Sequence, residues 1–79
     1  MKSRQEEAAY VARTIRAFLN GSGGDWDWDD FTSCSLSNVE VDYLRRRAAS
    51  VEMPVDDDGR AELLTLAGEA DLLAGAANR

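Results

Sequence analysis

Residues 3–21 read S-R-Q-E-E-A-A-Y-V-A-R-T-I-R-A-F-L-N-G, and their spacing decides the fold class. Ser3 is a helix cap, and Glu6 three positions on completes a capping box that satisfies otherwise orphaned amides. Glu6 and Glu7 sit in the first turn, where the positive end of the helix dipole favours anions. Ala8, Val11, Ala12, Ile15, Phe18 and Leu19 recur at 3.6-residue spacing and form one apolar stripe, leaving Arg13 and Arg16 on the outer face. Asn20-Gly21 ends the helix, because glycine enters the left-handed region without a Cβ clash. The spacing predicts a helix over residues 4–20.

The same signals recur downstream. Ser37-Asn38-Val39-Glu40 has the form of a capping box, with Leu36 and Val41 as a hydrophobic staple. Val41, Leu44, Ala48 and Val51 give an inward stripe, and Pro54 bars continuation, so a second helix is expected over 38–51. Asp56-Asp57-Asp58 supplies a cap and favourable dipole charge to a third helix over 59–75. Its stripe is Leu63, Leu66, Ala67, Ala70, Leu73 and Ala74, widened by Leu64 and Leu72. No alternating strand pattern or internal repeat occurs. The sequence predicts an all-α, three-helix single domain over 1–79, with a long structured Trp/Asp-rich connection between the first two helices.

With 79 residues, 44% of them hydrophobic and 30% charged, the chain is balanced like a small globular domain. No apolar window reaches membrane-spanning length, and the start M-K-S-R-Q-E-E lacks the apolar centre of a signal peptide, so a cytoplasmic location is expected. Fifteen acids against nine bases give a net charge of −6, which disfavours nucleic acid and anionic membranes. Arg45-Arg46-Arg47 is the only basic run. It is read as a solvated helix face, with Asp42 placed to pair with Arg46, and less favourably as a phosphate patch. The chain contains no histidine. This removes Cys–His and Ser–His nucleophiles and histidine-based metal sites. The single cysteine, Cys34, is then expected to be a small buried hydrophobe.

The connection holds G-S-G-G-D-W-D-W-D-D-F, residues 21–31. Asp25, Asp27 and Asp29 alternate as in a calcium loop, but Asp30 stands where that loop needs glycine and Leu36 where it needs glutamate. A cation site here would be irregular and weak. A second reading makes the segment structural: Asp25 caps a helical turn that sets Trp28 and Phe31 three apart on one face, over the open end of the core. A third makes it a contact surface, with Trp26 exposed among Asp25, Asp27, Asp29 and Asp30 and poised for a basic partner. The last two readings are compatible.

Residues 18–33, F-L-N-G-S-G-G-D-W-D-W-D-D-F-T-S, resemble a segment of small bacterial proteins that carry an F-L-x-G-x-G-x-x-W-D-W-D-D-F motif. The helix around Tyr43-Leu44-Arg45-Arg46-Arg47 is also similar to theirs. That group has no assigned activity, so the resemblance implies a bacterial, cytoplasmic origin and no mechanism.

The expectation is a small acidic helical protein that is not an enzyme, uses no cofactor or metal, and acts through protein–protein contacts. Its contact residues are Trp26, Asp25, Asp27, Asp29 and Asp30, its partner a protein of basic character, with homodimerisation left open. The alternatives are a weak calcium- or magnesium-binding module and an acidic inhibitor of a basic protein.

Overall fold

In a computed structural model the described residues are 3–21 and 27–75, the side chain of Asp27 excepted. They form four helices: α1 (Arg4–Asn20), α2 (Asp27–Ser33), α3 (Val39–Ala49) and α4 (Asp57–Leu73). The fold is all-α, as expected, with no strand among the described residues. The expected count of three is corrected by α2, a seven-residue helix inside the connection.

Helix α1 is laid down as its sequence requires. The Ser3 hydroxyl accepts from the Glu6 amide at 3.2 Å, and the Glu6 carboxylate accepts from the Ser3 amide at 2.9 Å. Gly21, at φ 77°, donates back to the carbonyls of Ala17 and Phe18. Helix α4 begins two residues earlier than expected. Asp56 is its cap, accepting from Gly59 N–H at 2.8 Å, so the first turn is formed by the remaining aspartates. Helix α3 is shorter than expected, ending at Ala49, where the Ser50 hydroxyl donates to the Arg47 carbonyl.

The cap of α3 is also shifted by one residue. Asn38, not Ser37, accepts from the Val41 amide, at 3.1 Å. Ser37 faces away from its own helix because a stronger acceptor reaches it from α1, and the Ser37–Glu40 box does not form. Glu40 turns outward and meets Arg4 instead.

Helix α1 contacts the other three helices, and α3 packs on α2 and α4. The core is Ala8, Val11, Ala12 and Ile15 from α1, Phe31 from α2, Val41, Leu44 and Ala48 from α3, and Leu63, Leu66, Ala67 and Ala70 from α4. Five of these twelve are alanines, which let helix axes approach closely and leave the volume to a few large groups. Leu73 and Ala74 pack at the edge of this core. Leu64 and Leu72 do not widen the stripe: they are 47% and 58% exposed. They lie on the outer side of α4, away from Leu63, Leu66, Ala67 and Ala70.

Candidate functional site

Helix α2 carries the described part of the Trp/Asp segment, and its rigidity comes from aromatic packing. Phe31 is fully buried. The Tyr10 ring meets it edge-on with centroids 5.8 Å apart. Trp28 is half-buried, stacked on Phe18 at 4.2 Å and tilted against Phe31 at 5.0 Å. Residues three apart on a helical turn thus share the inward face, as the spacing of Trp28 and Phe31 predicts. The Thr32 hydroxyl donates to the Trp28 carbonyl at 2.9 Å, and Arg45 donates to the Thr32 carbonyl at 2.7 Å. The guanidinium therefore satisfies an orphaned carbonyl at the negative end of α2.

The opposite face of α2 is acidic. Asp29 and Asp30 are exposed and form no ion pair among the described residues. Asp27 opens the helix, while its side chain, and Asp25 and Trp26 altogether, lie outside the described residues. Of the five expected contact residues, the structure thus brings together Asp29 and Asp30. Among the described residues no group of three or more Asp, Glu, Cys or His could hold a metal ion.

Two charged residues have roles that differ from the sequence reading. Glu7 is buried and serves α3. Its Oε2 accepts from the Ser37 amide at 3.0 Å and the Ser37 hydroxyl at 2.7 Å, and its Oε1 accepts from the Asn38 amide at 2.9 Å. A carboxylate from α1 thus covers the start of α3. Arg45 is buried too, so the basic run is not one solvated face. Asp42 gathers the local charge: Oδ1 accepts from Arg45 Nε at 2.7 Å and from the Leu36 amide at 2.9 Å, and Oδ2 lies 3.2 Å from Arg46 Nε. The Arg45 hydrogen bond, with the Leu36 amide and both guanidinium charges, holds the Asp42 carboxyl below its ordinary range, against the opposing effect of burial. Arg47 turns to α4, reaching Glu62 at 3.1 Å and Glu69 at 3.5 Å, while its guanidinium sits 5.6 Å from the Tyr43 ring centre. Arg45 and Arg46 share Asp42 while Arg47 turns to Glu62 and Glu69, so the three arginines make no common phosphate patch.

A signal for both corrections was present. Glu7 is in register with Val11 and Ile15, and Arg45 with Val41 and Ala48. A charge within an apolar stripe must find buried partners. Nothing in the sequence named those partners, which lie 30 and 31 residues away for Glu7.

Cys34 corrects a further expectation: it is exposed. Its amide donates to the Asp30 carbonyl at 3.2 Å just past the end of α2, which directs the side chain to solvent rather than core. Among the described residues no helix is long and apolar enough to cross a membrane. Comparison of the chain with protein-family models, with curated proteins and with solved structures returns no match.

Proposed function

We propose that this chain is a non-catalytic protein-binding domain whose acidic α2 edge engages a basic protein. The observation that supports it is the segregation of charge. Glu40, Asp42, Glu62 and Asp71 are neutralised in Arg4–Glu40, Arg45–Asp42, Arg47–Glu62 and Arg16–Asp71, and the exposed Asp57 and Asp58 sit in the first turn of α4, where the helix dipole favours them. Asp29 and Asp30 are left exposed on a helix that carries no basic residue. Rigid mounting matters here. Phe31, Trp28 and Arg45 fix α2 to the core, so its carboxylates are held in place before a partner arrives, which lowers the ordering cost of binding. Asp25, Trp26 and Asp27 extend this surface in the proposal, with Trp26 as its apolar anchor. An acidic inhibitor of a basic protein is the narrower form of the same reading, and a bacterial, cytoplasmic origin, implied by the resemblance of residues 18–33, belongs to the proposal.

Capture of partners from a bacterial extract by the tagged chain tests the proposal. A partner of high isoelectric point should be retained at about 0.05 M salt and released at about 0.5 M, where exposed charges are screened within a few ångströms. The Asp29→Asn/Asp30→Asn double variant should lose that partner while keeping its helical circular dichroism. Retention that ignores both salt and the double substitution would defeat the proposal.

A further inference from the structure

The outer face of α3 and α4 poses a separate question. Val39 is 83% exposed, Tyr43 58% and Leu72 58%. Val39, Tyr43 and Leu72, with Leu44 and Leu73 at its floor, line an open apolar groove of 530 Å³ between the two helices. Taking about 160–230 Å² as the full area of such residues, the three exposed side chains present roughly 370 Å², within the range of about 300–600 Å² of a typical monomer's largest apolar patch, which is often functional.

The charges around this face decide what suits it. Glu40 is paired with Arg4 at 3.1 Å, and Glu62 and Glu69 share Arg47. Three acids meet two bases there, so about one net charge borders the groove although the whole chain carries −6. The unpaired acids of α2 belong to a helix that packs on α1 and α3 and does not contact α4. At physiological ionic strength, charges more than about 8 Å away are largely screened. Among the described residues a basic partner would therefore find no unpaired carboxylate at this rim, while an identical face would meet little repulsion.

We propose that the occupant is a second copy of this chain, in a twofold homodimer that lays the α3–α4 face of one protomer on the same face of the other. An isologous contact is self-complementary: Val39, Tyr43 and Leu72 of each copy cover those of its partner. Two such patches remove roughly 740 Å² of apolar surface, below the ~1,200 Å² of a standard stable interface, so the dimer forms weakly and reversibly. This surface is distinct from the acidic α2 edge, leaving that edge free in both protomers.

Sedimentation equilibrium of the full chain tests this. The wild type should pass from the 8.7 kDa monomer to twice that mass as concentration rises, with the midpoint on the order of 100 µM expected of a small interface. Added salt should leave the midpoint unchanged or lower it. Leu72→Glu should raise it at least tenfold. Val39→Glu, at a side chain too exposed to matter for folding, should do the same with an unchanged circular dichroism spectrum. A wild type that stays monomeric to about 1 mM, ten times the expected midpoint, overturns the proposal. So does dimerisation that survives Val39→Glu, or that is reduced instead by Asp29→Asn/Asp30→Asn.

Discussion

The sharpest test of the fold is Glu7, because its neighbour Glu6 provides an internal control. Both occupy the first turn of α1, and for the α1 dipole alone they would be nearly equivalent. Their destinations differ. Glu6 closes an exposed capping box with Ser3, whereas Glu7 accepts three hydrogen bonds at the start of α3. Hydrogen bonds to a charged group contribute about 1.5–3 kcal/mol each, but they are not additive, and Ser37 is exposed enough for water to replace part of the loss. Glu7→Ala should therefore cost about 3 kcal/mol. Glu7→Gln is more telling. Its amide must face either the Asn38 N–H or the Ser37 N–H, so one backbone donor loses its acceptor whichever way the side chain turns. A loss of about 2 kcal/mol is expected, against about 0.5–1 kcal/mol for Glu6→Gln. Urea unfolding followed by circular dichroism measures all three as shifts in midpoint at constant slope. Equal losses for Glu6→Gln and Glu7→Gln would refute the interhelical cap.

Further outcomes follow from the packing and charge. Phe31→Ala should cost about 3–5 kcal/mol, and Trp28→Ala about 2–3 kcal/mol because that ring is only half-buried, both read by the same urea titration. Two glycines of α4 should respond with opposite signs. A Cβ on Gly68 meets nothing, so Gly68→Ala should stabilise the monomer by about 0.5–1 kcal/mol. A Cβ on Gly59 would lie 2.9 Å from Val51 Cγ1, a short branched side chain with little room to yield, so Gly59→Ala should lower the melting temperature. Cys34 should react completely with a thiol reagent under native conditions, without loss of helicity, since it is exposed.

Much of the fold was legible because it is written in local signals. The Ser3–Glu6 box, the Gly21 stop and the Asp-rich start of α4 act within three or four residues, which is the range that sequence spacing reports. The misread positions are those where a local signal competes with a distant one. Ser37-x-x-Glu40 has the form of a capping box, yet the Glu7 carboxylate takes the Ser37 amide and hydroxyl, and the cap passes to Asn38. Leu64 and Leu72 fit a widened stripe, but twelve core residues with five alanines leave no second layer for them to cover. Within the Trp/Asp segment, the calcium-loop likeness fails in the sequence itself, at Asp30 and Leu36, and the structure adds that Asp29 lies on the exposed side of a short helix whose Trp28 and Phe31 pack inward.

The candidate site was half legible, and the missing half is charge geometry. Composition gives −6 for the whole chain, but only the ion pairs reveal which acids are already neutralised. Asp42 and Asp71 bear this out through acidity. The Arg16 hydrogen bond lowers the Asp71 carboxyl as the Arg45 bond lowers that of Asp42. A carboxyl whose folded pKa lies below its unfolded value binds fewer protons when folded, so its contribution is complete above the unfolded value. It is lost as pH falls from about 4 toward the folded pKa. The melting temperature should hold from neutral pH down to about 4.5 and then drop as these carboxylates gain protons. Asp42→Asn should lower the plateau and flatten the drop, since it removes the group that titrates. Asp29→Asn and Asp30→Asn should leave the melting temperature at neutral pH within about 1 °C of the wild type, because those exposed side chains form no ion pair among the described residues. If either substitution lowers that melting temperature as much as Asp42→Asn does, the α2 acids are engaged within the chain, and they are not the free edge on which the proposed binding depends.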